Sequence, residues 1–486
     1  MSLMDPKIWT GQVFSGGWTR SRAGDSAVVE PATGHEIGRT GIADAEDIAA
    51  AVAVAKAAQR EWAATNFEER AAVLRRAGLL FEQHAEDIHH WIIREAGSIP
   101  PKAGVETHVA SQECYEAAAL ASAPIGEIIP TAKRRMSLAR RIPVGVVGVI
   151  APFNFPLILG TRSVAPALAL GNAVVLKPDP RTAVCGGVAI ARIFEEAGLP
   201  AGLLHVLPGG PEAGEALVAH PDVPVISFTG STTAGRKVGE ACGRLLKRAH
   251  LELGGNSALI VLEDADLDLA ASAGAWGSFL HQGQICMTTG RHLVHASIAD
   301  EYVARLAEKA DHLPVGDPAT ERVALGPLIS TGQRDKVHAL VTASVDNGAR
   351  LAAGGTYQGL FYRPTVLTGV TTDSPAYANE VFGPVAPVMP FTTPEEAAAL
   401  AGNSEYGLSL GILSRDVMKA VDLAERIPSG IVHINDQTVD DEAVAPFGGV
   451  AASGTGSRFG GTHANADAFT HTQWLTMQGD IAGYPF

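Results

Sequence analysis

Residues 143–156 read Pro143-Val144-Gly145-Val146-Val147-Gly148-Val149-Ile150-Ala151-Pro152-Phe153-Asn154-Phe155-Pro156. The first half is a short apolar run rich in valine. The second half is a turn in which two prolines bracket an amide side chain. A run of this composition suits a strand buried on both faces. Continued to Gly160 it approaches membrane-spanning length, but Pro152, Asn154 and Pro156 interrupt it. A buried strand of a soluble protein, leading into a turn, is therefore expected.

On its carboxyl side the same rhythm repeats. Ala173–Leu176, Leu204–Leu207, Val225–Phe228 and Ala249–Leu253 are further short apolar runs. Helical stretches separate them at Ser163–Leu170, Thr182–Ala197, Glu212–Ala219 and Ala234–Leu246. Short apolar strands alternating with helices predict a parallel sheet covered on both faces, and five of them favour a nucleotide-binding, Rossmann-like α/β unit. A second α/β series opens near Ser257, with strands at Ala258–Leu262, Leu293–His295, Pro384–Pro390 and Ile431–Ile434 and helices at Ile298–Ala310 and Thr331–Asn347.

On the amino side, residues 5–40 read as short strands and turns (Val28–Pro31, Glu36–Arg39). A helix opens at Ala43-Asp44-Ala45-Glu46-Asp47 and runs to about Ala64, its first turn acidic as the helix dipole favours. Apolar residues at helical spacing (Leu74, Leu79, Leu80, Ile88, Ile92) predict one helix from Phe67 to Ala96 with a stop at Gly97, and Gly104–Ala121 reads as the next. Ile125–Arg141 alternates like two strands about Pro130-Thr131 and is charged; a surface hairpin and an arm pairing with another subunit both fit. Phe469–Gln478 alternates as an edge strand would.

Length and composition set the outer bounds. A chain of 486 residues is too long for one core, and 46% hydrophobic residues with 53 Gly and 29 Pro describe a globular protein with many tight turns. A net charge of −15 without any Lys/Arg block argues against nucleic acid as a partner, and no membrane partner is expected. The four cysteines (Cys114, Cys185, Cys242, Cys286) form no CxxC pair, so reduced thiols and a cytoplasmic location are expected. No HxxxH or HExxH spacing points to a metal.

Five stretches carry residue types that chemistry needs. In His281-Gln282-Gly283-Gln284-Ile285-Cys286-Met287-Thr288-Thr289-Gly290-Arg291 a thiol stands among glycines and small polar residues, as a nucleophile would. Asn154 sits at a strand's carboxyl end, where its NH2 can reach a developing oxyanion. Phe228-Thr229-Gly230-Ser231-Thr232-Thr233-Ala234-Gly235 is a strand, a GxxxxG turn and a helix start, able to meet a pyrophosphate although neither GxGxxG nor a P-loop is present. Glu252, in Leu251-Glu252-Leu253-Gly254-Gly255-Asn256, is a carboxylate at an apolar strand end, with a raised pKa suited to general-base work. Glu380-Val381-Phe382-Gly383-Pro384 sets another carboxylate beside a turn.

In order and spacing, with Glu252 34 positions before Cys286, these stretches resemble the aldehyde dehydrogenase superfamily across nearly the whole chain. Asn403-Ser404-Glu405-Tyr406-Gly407-Leu408 and Pro446-Phe447-Gly448-Gly449 carry the same resemblance. It implies a Rossmann-like cofactor domain at 1–123 and 143–254, an α/β catalytic domain at 255–454, and an oligomerisation arm at 124–142 and 469–486 of a homodimer or homotetramer. It further implies that the Cys286 thiol attacks the aldehyde to give a thiohemiacetal, with Asn154 and the cysteine's own N–H holding the oxyanion. Hydride then passes to a nicotinamide, and water activated by Glu252 hydrolyses the thioester. For NAD or NADP, the implied contacts are Lys177 at the adenosine ribose, Gly230 and Ser231 with Gly235 at the pyrophosphate, and Glu380 at the nicotinamide ribose. Phe382, Ile150 and Pro152 complete them.

The chain departs from the family pattern at several positions. NAD-preferring members carry Glu three residues after the lysine; here that residue is Pro180, which removes a repulsion against a 2′-phosphate, while Asp179 restores part of it. Ser163 stands where many relatives have Lys, and Ala451 replaces the Lys of PFGGxKxSG. The stretches 433–442, 287–291 and 176–181 look most like members that oxidise benzaldehyde, with Phe155, Arg162 and Phe447 expected in the aldehyde pocket. Vanillin, salicylaldehyde, an aliphatic aldehyde or a semialdehyde are the alternatives. A CoA-acylating enzyme, which typically lacks the Glu252 carboxylate, and a non-catalytic binding protein are the more distant ones.

Overall fold

The computed structural model describes residues 2–486; Met1, with which the expected segment 1–123 begins, lies outside them. Val146–Ile150 (β1) is buried along its whole length, as is Ala173–Lys177 (β2). With Leu204–Val206 (β3), Val225–Thr229 (β4) and Arg248–Glu252 (β5) they form a parallel sheet in the order β5-β4-β1-β2-β3. Val13–Ser15 adds antiparallel to β3, and Trp18–Thr19 closes that edge. Strand order reverses between β1 and β4, so a crevice opens there beyond their carboxyl ends. Asn154 follows β1 and Gly230 follows β4, so these two residues flank the crevice.

The second sheet starts four residues after the first ends. Ser257–Val261 (β6) and Thr289–His295 (β7) pair in parallel, followed outward by Val385–Phe391 (β9) and Thr365–Thr368 (β8). On the other side of β6 lie Ser409–Leu413 (β10) and Ile431–Ile434 (β11). Alternate residues of β6 feed different cores: Ala258 and Ile260 pack into one, Leu259 and Val261 into the other. A strand with period-two side chains and apolar layers on both faces must read as a continuous apolar run, as Ala258–Leu262 does. The first sheet has its own larger core, which also takes in Phe459 and Phe469 near the carboxyl end.

The short linker orients the two sheets. The chain leaves the carboxyl end of β5 at Glu252 and enters the amino end of β6 at Ser257. The carboxyl edge of the first sheet therefore faces the amino edge of the second, and the crevice lies between them.

Several expected elements differ in detail. Phe67–Ala96 is two helices, Phe67–Gln83 and Ala85–Ala96, because His84 leaves helical geometry (ψ 21°) between them. The following helix begins at Pro100 rather than Gly104, its two prolines occupying the first positions, where a missing N–H costs nothing. The helix after β1 likewise begins at Pro156 and contains Pro166. The stretch 182–197 includes a π-helical turn at Val184–Val188 before regular helix resumes at Ala189. Strands β8 and β10 were not singled out from the sequence.

Gly126–Ile128, Met136–Pro143 and Thr470–Met477 form a separate antiparallel sheet, with Met136 opposite Met477 and Pro143 opposite Thr470. It leaves Ile128 and Trp474 exposed. Among the described residues no helix is long and apolar enough to cross a membrane, and no group of His, Cys, Asp and Glu could hold a metal ion.

Candidate active site

Cys286 is half-buried, three residues before β7. The turn that delivers it is strained: His281, Gln282 and Gly283 are consecutive left-handed residues (φ 48°, 58° and 66°). Such geometry costs about 1–3 kcal/mol per non-glycine residue and persists only where neighbours impose it. Here Gln282 Nε2 donates to the carbonyls of Gly97 (3.0 Å) and Pro327 (2.8 Å), while Gln284 Oε1 accepts from Ile329 N–H at 3.0 Å. A side chain on Gly283 would meet the Gly383 carbonyl at 2.1 Å, so only glycine fits. Beyond the thiol, Thr438 Oγ1 donates to Met287 O at 2.6 Å and ties the turn to the segment after β11.

Two cavities meet at this thiol. The first, about 310 Å³, is the crevice between the sheets, with Lys177, Gly230, Ser231, Glu380, Phe382 and Pro152 in its lining together with Ile150. The second, about 300 Å³, lies on the other side and is walled by Val105, Phe155, Ile158, Trp276, Met287 and Phe447. Only Asn154, Leu159 and Cys286 belong to both. A group held in either cavity therefore reaches the same sulfur.

The polar groups of the crevice are fixed by local structure. Ser231 caps the helix Thr232–Arg244, its hydroxyl accepting from Ala234 N–H at 3.3 Å. Lys177 Nζ donates to the Gly209 carbonyl at 2.8 Å, and burial lowers its pKa. Glu380 Oε1 accepts from Gly255 N–H at 3.1 Å. A Cβ on Gly254 would stand 2.4 Å from the Glu380 carboxylate, and one on Gly255 2.6 Å from the Cys286 carbonyl. The two glycines of the linker thus let the edges of both sheets close around these groups. At the outer end Arg181 grips Asp179 with two hydrogen bonds (2.9 and 2.7 Å) and covers the Phe153 ring at 4.3 Å.

Cys286, Glu252 and Glu380 are each displaced upward by burial. Burial pushes the Cys286 thiol up to about 12, and the carboxylates of Glu380, Glu252 and Asp441 add to the shift. Glu252, the last residue of β5, is buried and neither of its oxygens has a hydrogen-bond partner. Burial raises it well above the ordinary carboxyl value, against the pull of Arg458 and Arg162. Glu380 is pushed by burial to about 7, with Lys336 opposing. An unpaired buried carboxylate costs several kcal/mol, which is the physical cause of these upward shifts.

Two sequence-based assignments need correction. Gly235 lies in the helix after Ser231, where a Cβ would meet Leu253 at 2.2 Å; it packs the helix on β5 and does not line the crevice. Arg162 is buried behind Phe447, its guanidinium 4.9 Å from that ring, and does not line the aldehyde-side cavity. It donates to Glu113 at 2.9 Å and pairs with Asp441, whose residue is in that lining. The other site residues expected from the sequence fall in one cavity or the other, except Glu252, which sits behind them.

Sequence reasoning missed Lys102, Glu106, Gln333, Lys336, Trp276 and Asp441, all of them brought in by tertiary structure. No local motif surrounds the first five; Asp441 lies in the stretch 433–442 but was not singled out within it. Only the i,i+4 spacing of Lys102 and Glu106 on a helix was a readable signal.

With this geometry in hand, the chain can be set beside known proteins. The model of the aldehyde dehydrogenase family matches residues 18–475. The chain belongs to that family. As an aldehyde dehydrogenase it is an oxidoreductase. It is 71% identical over 486 residues to a vanillin dehydrogenase of Amycolatopsis sp., covering 100% of both chains. It is 52% identical to a benzaldehyde dehydrogenase [NAD(+)] of Pseudomonas putida, over 99% of this chain and 98% of the relative. A salicylaldehyde dehydrogenase from Pseudomonas putida G7, solved with salicylaldehyde, superposes with a TM-score of 0.95 at 36% identity, covering 98% of this chain and 99% of that one.

Proposed function

We propose that this aldehyde dehydrogenase oxidises aromatic aldehydes of the benzaldehyde and vanillin type to carboxylic acids, using NAD or NADP. The observation that carries the reading is the pair of cavities sharing Asn154 and Cys286, one lined by a helix start with Lys177, Ser231 and Glu380, the other walled by Phe155, Trp276 and Phe447. About 300 Å³ bounded by rings suits a flat aryl group. The polar groups at its far side include Asp436, Asp440 and Asp441. Carboxylates there favour a neutral ring or one bearing a hydroxyl donor, and disfavour a semialdehyde with a terminal carboxylate. The name of the 71%-identical relative makes vanillin a specific second candidate.

The crevice fits a dinucleotide. Gly230 and Ser231 stand at a helix start where backbone N–H groups favour a pyrophosphate, and Gly254, in the same lining, leaves room for the Glu380 carboxylate. Lys177 suits the adenosine ribose; Ile150, Pro152 and Phe382 offer apolar walls; Glu380 is available to ribose hydroxyls. A nicotinamide dinucleotide bound there supplies the hydride acceptor. With Pro180 in the family's Glu position and Asp179 neutralised by Arg181, no free carboxylate repels a 2′-phosphate. This supports use of both cofactors.

The chain's own groups then divide the work. The Cys286 sulfur adds to the aldehyde carbon, the proton leaving toward Glu252 through water, and Asn154 with the Cys286 N–H stabilises the oxyanion. Glu252 hands that proton on to solvent, and after oxidation its carboxylate takes a proton from the water that attacks the thioester. Its raised pKa makes it a stronger base than an exposed carboxylate. A CoA-acylating enzyme would not need that carboxylate.

We assign residues 1–123 and 143–254 to a cofactor-binding domain and 255–454 to a catalytic domain; the separate sheets and cores support this division. Segments 124–142 and 469–486 are proposed as an oligomerisation arm of a homodimer or homotetramer, and the cytoplasm as the location. Reduced-nicotinamide absorbance with benzaldehyde, vanillin and an aliphatic aldehyde, each with NAD and NADP, tests the substrate and cofactor reading. Failure to reduce either cofactor with any aromatic aldehyde would overturn it. A monomer in size-exclusion chromatography would remove the arm assignment.

A further inference from the structure

The oxyanion reading depends on where the Asn154 amide points, and nothing in residues 151–156 fixes that turn by itself. The helix Pro156–Ala169 that follows has no side-chain cap from Phe155. Its exposed first-turn N–H groups would otherwise be orphans. They are met from a different helix. Glu106, wholly buried in Pro100–Leu120, accepts from Leu157 N–H through Oε2 at 3.0 Å. Its other oxygen pairs with Lys102, one turn earlier and also buried. Lys102 Nζ in turn donates to the backbone carbonyl of Asn154 at 2.7 Å and lies 4.3 Å from the centre of the Phe155 ring. Carbonyl 154 and N–H 157 are thus held from one side by a single ion pair. Burying such a pair in an apolar helix interface brings little net stability, because desolvation offsets the attraction. The contacts it makes are with the backbone of the candidate oxyanion residue, and Lys102 also lines the aldehyde cavity.

We propose that Lys102 and Glu106 are the positioning residues of the oxyanion site, a staple across residues 154–157 that aims the Asn154 amide at the Cys286 sulfur. The proposal rests on Asn154 being the oxyanion donor. Lys102 fixes one end of the turn through a charge-assisted bond to the Asn154 carbonyl, and Glu106 fixes the other by capping the next helix. Its ring contact further orients Phe155, a wall of the aldehyde cavity. Loss of the staple lets the amide drift, and displacement of a reacting group by about 1 Å can cost about a hundredfold in rate.

The test is a double-mutant cycle in the full-length enzyme with benzaldehyde and NAD. Lys102→Met combined with Glu106→Leu removes both charges together, so neither is left unpaired. Its kcat is expected to fall about tenfold to a hundredfold, while the KM for NAD moves less than about twofold. Asn154→Ala alone should cost about a hundredfold or more. In that background the paired replacement should change kcat by less than about twofold, because the donor it positions is gone. The same fold-loss with and without Asn154 would overturn the positioning role. An Asn154→Ala enzyme with undiminished kcat would instead remove the oxyanion reading on which it rests. Lys102→Arg and Glu106→Gln serve as milder variants if the double replacement does not fold. These two keep hydrogen-bonding groups and should retain most of kcat. Lys102→Met alone removes the bond to the Asn154 carbonyl and should lower kcat; full wild-type kcat in Lys102→Met would equally overturn the staple.

Discussion

The first sheet meets the site with the carboxyl ends of β1, β2, β4 and β5, the second with the amino ends of β6, β7 and β9. The two edges equip it differently. Past a carboxyl end the chain turns into a helix start, so the first edge offers backbone N–H groups and capped turns: Ser231 before Thr232, and Asn154 ahead of Pro156. Such an edge suits negative charge, whether a pyrophosphate or a developing oxyanion. Ahead of an amino end there is only loop, and the second edge must hold Cys286 and Glu380 by strain and by distant anchors such as Gln282 to Pro327. On the proposed reading the first edge binds the dinucleotide, and the second carries the sulfur. Glu252 belongs to the first sheet and acts at the join.

The division can be broken or sharpened by substitution. Replacing Cys286 with Ala should abolish dehydrogenase activity by at least about 10⁴-fold and leave NAD binding, measured by fluorescence titration, unchanged. Loss of cofactor affinity would mean the edges are not separable. Glu252→Gln should lower steady turnover by about 10²–10³-fold while rapid mixing still detects a first-turnover burst of reduced cofactor; steady turnover near wild type would refute its role as base. Glu380→Gln, a second-edge residue reaching into the crevice, should raise the KM for NAD about tenfold with little change in the KM for benzaldehyde. An effect confined to the aldehyde would move Glu380 to the other cavity.

The smallest effect concerns stability. A carboxyl whose pKa is raised on folding stabilises the folded state below its unfolded value, and that contribution is lost as pH rises above it. Glu252 is raised from 4.5, so its contribution fades above that pH. Glu252→Gln carries no such dependence. Its melting temperature should exceed wild type by about 2 °C near pH 8 and match it near pH 4. Equal differences at both pH values would mean the carboxyl is not held neutral.

The first edge was the more legible in the amino-acid sequence. Buried parallel strands read as continuous apolar runs, and turns into helices announce themselves with Pro and Gly, so β1, β4, Asn154 and Gly230 could be located from local pattern alone. Cys286 and Glu380 were legible only through short motifs. The family resemblance placed Gly235 at the pyrophosphate, because a conserved-looking turn glycine does not disclose whether it faces a ligand or Leu253. Arg162 was similarly taken for a pocket residue, although its pairing with Glu113 and Asp441 joins positions far apart in the chain. The spacing of Lys102 and Glu106 was readable as a helical pair, but their role was not, since they act on backbone atoms about fifty residues away. The break at His84 was hidden because apolar spacing continues in phase across it.

That the two cavities share only three residues has a kinetic consequence. On the proposed reading, aldehyde and dinucleotide arrive from opposite sides and meet only at Asn154, Leu159 and Cys286. Neither blocks the other's entrance. An unreactive aryl compound filling the apolar side should therefore inhibit competitively toward aldehyde and non-competitively toward NAD, and the acid product can depart while the dinucleotide is still in place.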